Sequence, residues 1–364
     1  MKRSGANFIG VARRCDMVRL KDIAERAGVS LMTVSKALRD EPDVSEATKA
    51  RLKSLAQEMG YVPDSTAQGL RNRTTKLFGL VIPSLANPIF ARLVLAIQER
   101  AYELGYDVLL GYTLHNPERE ETCIRRFLSR RVDGLFLSPV YRIESEAHIY
   151  QELLARRIPT ILLGHTAPFC ANFVNVATDD LTAGYTVTQH LLQLGHKRIA
   201  FLAGPPATPW TRERFEGYRR ALRQVGLEVD EKLIFQAGRT VEDGEKAAVQ
   251  MISEGPDATA VQAVNDLVAA GSAQVLLKQG LRIPNDISVV GFGNSMLSEF
   301  FQVPLTTIDQ PKHRLGAAAM DSMLQLMRGN RPETKRLPAQ LVIRSSSGTA
   351  PATSMSERLR TLKT

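Results

Sequence analysis

Cysteine, histidine and tryptophan are scarce in this chain: three, six and one in 364 residues. Cys15, Cys123 and Cys170 are odd in number and far apart. They exclude a disulfide framework or a cysteine metal site and read as reduced thiols. No run of 18 apolar residues occurs, so no membrane span is expected. Near the N-terminus, Phe8 to Ala12 is too short an apolar stretch for a secretory leader, and a cytoplasmic location is expected. Absent too are a Gly-x-Gly-x-x-Gly after a strand, a phosphate loop and any metal-spaced His/Cys/carboxylate set. An enzyme is therefore not expected, nor a cofactor or a bound metal.

What is present is positive charge, unevenly placed. The net charge is +9. Residues 1–76 hold 15 Lys and Arg against 9 Asp and Glu, and the rest holds 32 against 29. A fifth of the chain thus carries two-thirds of the excess, which suits a polyanionic partner. A solvated basic surface without a partner fits the charge alone equally well. At this length the chain needs two or three domains.

Local pattern sharpens the first of them. Leu20, Ile23, Ala24 and Ala27 fall at helical spacing, and Gly28 suits a left-handed turn. Ser30 can cap a second short helix with Val34 and Leu38 inward. Two short helices joined by a tight glycine turn form a helix-turn-helix, whose second helix enters a major groove. Ser45 caps a third helix with Leu52, Leu55, Ala56 and Met59 on one face, ending at Gly60. After Pro63, Asp64 and Ser65 can cap one more short helix, Thr66 to Arg71.

These residues resemble the headpiece and hinge of the LacI/GalR family of bacterial transcription regulators. The likeness rests on Asp22-Ile23-Ala24, Ala27-Gly28-Val29-Ser30, Thr33-Val34-Ser35, Val44-Ser45, Gly60-Tyr61-x-Pro63 and Ala67-x-x-Leu70. By this resemblance Leu31, Met32 and Lys36 face base edges. The first two offer only apolar contact, for example to a thymine methyl, and Lys36 can donate to guanine. Thr33, Ser35 and Arg39 are better placed for phosphates. The resemblance further implies that two hinge helices, carrying Ala67 and Leu70, pair in the minor groove and wedge a leucine between base pairs. The competing reading packs Leu70 on the following domain.

From Leu77 onward, apolar runs alternate with amphipathic stretches. Strands are expected at 78–82, 106–110, 134–137, 160–163, 199–203, 233–236, 260–264 and 287–292. Helices are expected at 89–104, 118–131, 146–156, 180–194, 212–225, 242–254, 267–279 and 312–328. That rhythm argues for parallel sheets covered on both faces, divided between two sheets. The body resembles the type I periplasmic-binding-protein-like core of the same family. The matches are Val81-Ile-Pro-Ser84, Asn87-Pro88-x-Phe90, Val132-Asp-Gly-Leu135, Thr178-Asp179-Asp180 and Leu194-Gly195-His196. They continue through Arg214-x-x-Gly217-Tyr218, Asn265-Asp266, Ile287-Ser-Val-Val-Gly291-Phe292 and Pro304 to Pro311.

The expected organisation runs as follows. Residues 1–17 are a disordered extension or reflect a start codon placed too early. Residues 18–62 are an all-α headpiece and 63–76 a hinge. An α/β core spans 77–347, with an N-lobe of 77–177 and 308–337 and a C-lobe of 178–307 and 338–347. Residues 348–364 form a mobile tail, since Met355–Leu362 is too short and too poor in heptads to tetramerise.

Between two α/β lobes a ligand belongs in the cleft at the C-terminal ends of the strands. There the resemblance implies effector contacts from Phe90, His165, Trp210, Arg214, Asn265 and Asn294. Aromatic faces with Asn and Arg donors suit a polyhydroxylated ligand. His165 is equally read as a core histidine, and Trp210 as a cap on the proline-rich loop before it. One departure stands out. Sugar-binding relatives often place an Asp after the Val-Gly-Phe strand, where this chain has Gly293. A missing acceptor carboxylate suits an anionic sugar or sugar phosphate. The expected function is a homodimeric, DNA-binding repressor of a pseudo-palindromic operator, controlled by a small carbohydrate effector. A DNA-free solute-binding protein and a sugar-modifying enzyme are the alternatives.

Overall fold

In a computed structural model the chain divides after Thr75 into two compact units. The structure describes residues 18–63 and 74–363. Ala67, Leu70 and the expected hinge helix lie outside the described residues.

The first unit holds helices α1 (Leu20–Ala27), α2 (Leu31–Ala37) and α3 (Glu46–Glu58). Gly28 ends α1 in the left-handed region at φ 67°, where a Cβ would be strained. Ser30 caps α2 by accepting the Thr33 N–H at 3.0 Å, and Ser45 caps α3 through Thr48 at 3.3 Å. The small core contains Ile23, Ala24, Ala27, Val34, Ala37, Val44, Leu52 and Ala56, with Leu38 partly buried at its margin. Complete burial of Ile23 and Leu52 contributes roughly 1.5–3 kcal/mol each. Arg51 also ties α3 to the end of α1, donating to the Ala27 carbonyl at 2.8 Å.

The second unit has two sheets. The N-lobe strands are β1 (Leu77–Ile82), β2 (Asp107–Tyr112), β3 (Gly134–Leu137), β4 (Thr160–Leu163), β5 (Val174–Thr178) and β11 (Lys335–Leu337). They pair in the order β11-β5-β4-β3-β1-β2, all parallel. The C-lobe strands are β6 (Ile199–Ala203), β7 (Ile234–Gln236), β8 (Ala260–Ala263) and β9 (Ser288–Val290), parallel in the order β7-β6-β8-β9. An antiparallel pair, β10 (Thr307–Asp309) with β12 (Gln340–Val342), completes the set.

Helices cover both faces of each sheet. In the N-lobe, α4 (Pro88–Glu103) and α12 (Lys312–Met327) pack on the face of Phe78, Leu80 and Phe136. On the other face, α5 (Pro117–Ser129) and α6 (His148–Ala155) cover Val81, Leu135 and Leu162. The C-lobe carries α7 (Asp180–Gln193), α8 (Pro209–Gln224), α9 (Val241–Glu254), α10 (Asp266–Lys278) and the short α11 (Met296–Phe300). Several helices open with an Asn or Asp cap straight after a strand: Asn87, Asn116, Asp179 and Asn265 each accept a first-turn N–H. This puts helix N-termini at the C-terminal edges of both sheets.

Sequence pattern missed β5, β10, β11 and β12. None is a continuous apolar run: polar or charged residues interrupt all four, Asn175 and Thr178 in β5, Thr307 and Asp309 in β10, Lys335 and Arg336 in β11 and Gln340 in β12. The expected mobile tail is corrected by a further helix near the C-terminus, α13 (Met355–Lys363). Met355 and Leu359 are buried in the C-lobe core, and Ser356 donates to Asp257 Oδ1 at 2.7 Å. Two apolar residues one helical turn apart suffice to dock a short helix on an existing core, a pattern too brief to stand out by itself. No helix among the described residues is long and apolar enough to cross a membrane.

Candidate functional site

On the headpiece, α2 points Val34 and Ala37 inward and leaves Leu31 and Met32 in water, 51% and 59% exposed. Apolar residues are costly to leave there in a domain this small, so the two make a ready contact surface. Lys36 pairs with Asp43, whose carboxyl is held below its usual range by that hydrogen bond. A base contact by Lys36 must therefore compete with an ion pair on the surface, worth little in water. Thr33 Oγ1 lies 2.8 Å from Ser30 Oγ. Arg39 folds back, donating from Nε to the Ser35 carbonyl at 2.8 Å, and leaves its terminal nitrogens for other partners.

The inter-lobe site is built around a buried ion pair. Arg214 on α8 is 6% exposed and His165, just after β4, is 2% exposed. Arg214 Nε donates to Asp180 Oδ1 at 2.8 Å, and Nη2 lies 2.7 Å from the same oxygen. Its Nη1 donates to the Val264 carbonyl at 2.5 Å. The guanidinium lies 3.5 Å from the Phe292 ring centre and 4.8 Å from that of Trp210. Two glycines permit this approach. A Cβ on Gly184 would come within 2.5 Å of the Arg214 carbonyl, and one on Gly217 within 2.4 Å of the Leu181 carbonyl. Helices α7 and α8 therefore cross backbone to backbone, setting Arg214 beside Asp180.

Asp180 also receives His165, whose Nε2 lies 2.5 Å from Oδ2. Arg336 on β11 meets His165 Nδ1. A guanidinium only donates, so Nδ1 accepts and Nε2–H donates to Asp180. Glu213 Oε1 stands 3.3 Å from His165 Nδ1 and 3.5 Å from Arg336. The His165 carbonyl accepts the Tyr141 hydroxyl at 2.7 Å. His165, Tyr141 and Arg336 belong to the N-lobe and Asp180, Glu213 and Arg214 to the C-lobe, so the network joins the two.

Burial dominates its electrostatics. It raises the Asp180 carboxyl even against the attraction of Arg214, and lowers the Arg214 guanidinium even against Asp180. Glu213 is pushed up to about 7, first by burial and then by the Asp180 charge, with Arg214 offsetting only part. His165, Asp180 and Glu213 offer ligand atoms within 4.8 Å of one another. Arg214 and Arg336 already occupy those atoms, so the donor set favours hydrogen bonding over a cation.

Other expected effector residues are spoken for differently. Asn265 caps α10, accepting the Val268 N–H at 2.8 Å and donating to the Arg239 carbonyl at 3.1 Å. Asn294 accepts from Arg344 Nη2 at 2.8 Å. Phe90 packs partly buried against the N-lobe core rather than on the Arg214 network. Trp210 does more than close its loop, since Arg214 lies over its ring. Gly293 has a local reason. Its φ is 138°, and a Cβ there would stand 3.1 Å from Ile89 Cδ1 and 3.2 Å from Asp266 Oδ2. An Asp at this position would meet both strain and a neighbouring carboxylate.

Sequence reasoning missed Asp180, Glu213, Arg336 and Tyr141 as members of this network. Asp180 reads in sequence as a carboxylate at a helix start, a role it also fills. Arg239, after β7, makes no side-chain hydrogen bond or salt bridge among the described residues, although Asp243 attracts it. His115 follows β2 and is held down near 4 by burial and by Arg239, so it stays neutral.

Comparison with known proteins fits this geometry. The family model described as bacterial regulatory proteins, lacI family, matches residues 19–64. Another, described as periplasmic binding proteins and sugar binding domain of LacI family, matches residues 75–345. The chain is 33% identical to the transcriptional repressor CytR of Escherichia coli, over 91% of this chain and 97% of that protein. It is 31% identical to the transcriptional regulator DegA of Bacillus subtilis, over 90% and 97%. The Lac repressor dimer bound to operator and the anti-inducer ONPF superposes with a TM-score of 0.82 at 30% identity, over 92% of this chain and 100% of that one. A three-helix headpiece with two apolar residues exposed on its second helix, a two-lobed α/β core and matches covering nearly the whole chain lead to one conclusion: the chain belongs to the LacI family of bacterial DNA-binding transcription regulators.

Proposed function

We propose that this regulator is a homodimeric repressor of a pseudo-palindromic operator. Its DNA affinity is set by a small sugar derivative bound between the lobes. Leu31, Met32 and Lys36 read bases, while Thr33, Ser35 and Arg39 hold phosphates. Ala67 and Leu70 act in the minor groove. Phe90, His165, Trp210, Arg214, Asn265 and Asn294 shape the effector site.

The carrying observation is the Arg214–Asp180–His165–Arg336 network, which joins the lobes through buried charges. A ligand that inserts polar groups there changes which partners each charge keeps, and so biases the lobes between two arrangements. Coupling to operator affinity of about 1–3 kcal/mol follows the common range. Arg239, without a salt bridge among the described residues, favours an effector with an anionic group.

A thermal-shift screen of the full chain against neutral sugars, sugar acids and sugar phosphates tests this reading. Stabilisation by an acid or phosphate, with a change in operator affinity in a mobility-shift titration, is the expected result. A response to neutral sugars only would reject the anionic class. No change in operator affinity with any stabilising ligand would reject effector control.

A further inference from the structure

At one edge of the N-lobe sheet, arginines gather where the parallel strands begin. Arg130 and Arg131 lie between α5 and β3, and Arg156 and Arg157 between α6 and β4. Arg328 and Arg331 lie between α12 and β11. Strands β3 and β4 are neighbours, so the first two pairs start side by side. Arg157 and Arg331 line one open groove of about 500 Å³. All six are exposed. Arg156 pairs with Glu152 at 2.8 Å. Arg130, Arg157, Arg328 and Arg331 make no side-chain hydrogen bond or salt bridge among the described residues. Acidic side chains at this edge are Glu103, Asp107, Asp133, Glu152 and Glu333, of which Glu103 is paired with Arg100; they are fewer than the arginines, and Lys76 and Lys335 add to the positive side.

Helix ends alone do not account for them. A helix C-terminus carries about half a negative charge, which one nearby cation offsets. Here α5, α6 and α12 are each followed by two arginines. The other lobe gives the comparison. Helices α7, α8, α9 and α10 run into left-handed glycines, Gly195, Gly226, Gly255 and Gly280, with no arginine between helix and glycine. The arginines further along those connections, Arg198 and Arg282, are paired with Asp230 and Asp286 at 3.2 and 2.9 Å. In the N-lobe, Arg131 and Arg157 occupy the left-handed position themselves, at φ 54° and 55°. Glycine would sit there without strain, so arginine is kept at a steric cost.

We infer that this edge is a second DNA-contacting surface, which grips phosphates flanking the sequence read by the headpiece. Lys76, the residue before β1, stands on the same edge, so the tether to the headpiece leaves from it. The twelve residues 64–75 span at most about 40 Å. This bounded tether links the edge to whatever duplex the headpiece holds. Guanidinium groups suit phosphate oxygens, and such contacts add affinity without reading sequence.

The test uses the full chain and a quadruple variant, Arg130→Ser, Arg157→Gly, Arg328→Ser and Arg331→Ser. Arg157→Gly removes a charge where glycine fits better, so the thermal midpoint is expected to hold, and it is measured alongside. The DNA is a sequence enriched from a random library by the wild-type chain. It is prepared as a duplex of about 20 base pairs, enough for two half-sites one turn apart, and as one of about 40 with flanks. On the long duplex the variant is expected to lose at least about tenfold in affinity at low salt. Its log–log salt slope is expected to be shallower by about 0.9 for each phosphate it no longer neutralises. On the short duplex the two proteins are expected to agree. Equal slopes on the long duplex would overturn the inference and leave an acidic protein as the partner for this edge. Equal losses on both lengths would overturn it as well, by placing the effect in the headpiece. If no sequence is enriched, the operator reading fails separately, and the same slope comparison on random 40-mers still decides this one.

Discussion

Removing either member of the Arg214–Asp180 pair should cost far more than removing both. The carboxylate takes two contacts from Arg214 and one from His165, all inside the protein. In Asp180→Leu the guanidinium remains buried with the Val264 carbonyl as its only hydrogen-bonded partner among the described residues. In Arg214→Met the carboxylate remains buried with His165 alone. Leaving one buried charge without its partner costs about 3–5 kcal/mol. Replacing both by apolar side chains removes the desolvation cost along with the attraction. The double variant should therefore cost less than either single one, so it falls short of the summed single losses by at least about 3–5 kcal/mol. Urea unfolding followed by circular dichroism measures the three stabilities, provided the slopes with denaturant stay equal. In a domain of this size each single loss lowers the thermal midpoint by roughly 6–10 °C. Single losses under about 1 kcal/mol, or a double loss additive within about 0.5 kcal/mol, would refute the claim that the pair is desolvated and coupled.

Four further outcomes are expected. If Leu70 wedges between base pairs as proposed, Leu70→Ala should keep the fold yet weaken operator binding more than about tenfold, because the bend that brings further contacts is lost; wild-type affinity in a mobility-shift titration would contradict it. Glu213 holds its proton to about pH 7 in the folded chain but only to about 4.3 unfolded. The folded state then binds more protons between those values, so stability falls as pH rises through that window and levels above it. The fall is at most about 4 kcal/mol, less with 29% of the side chain in water, and Glu213→Gln should flatten it between pH 5 and pH 8. Leu359→Ala should cost about 2–3 kcal/mol by opening a cavity under α13, whereas a loose tail would show no change in the denaturation midpoint. Gly293→Asp should lower the thermal midpoint through about 1–3 kcal/mol of backbone strain and the approach to Asp266; a midpoint equal to wild type would show that the loop relaxes freely.

Different parts of this molecule were legible from sequence to different degrees. Helix caps at Ser30 and Ser45 act on groups three residues away, so their role shows in a short window. Predominantly apolar runs followed by amphipathic helices were likewise readable, and with them the division into parallel sheets. Arg214 and His165 were legible as site residues only through resemblance to relatives. Nothing local shows that Asn265 spends both ends of its amide inside the fold, or that Asn294 is held by Arg344 fifty residues away.

By itself the sequence determined the helix-turn-helix, its exposed Leu31 and Met32, the alternating α/β body and the uneven charge. All of these follow from spacings of a few residues, where backbone periodicity and capping act. Tertiary structure alone decided which distant charges meet. His165 and Arg336 are separated by 171 positions and come together because β4 and β11 stand in one sheet with β5 between them. The same is true of the gathered arginines at the strand starts and of the docked C-terminal helix. Each is a product of strand order and lobe packing, and no short window of sequence contains that information.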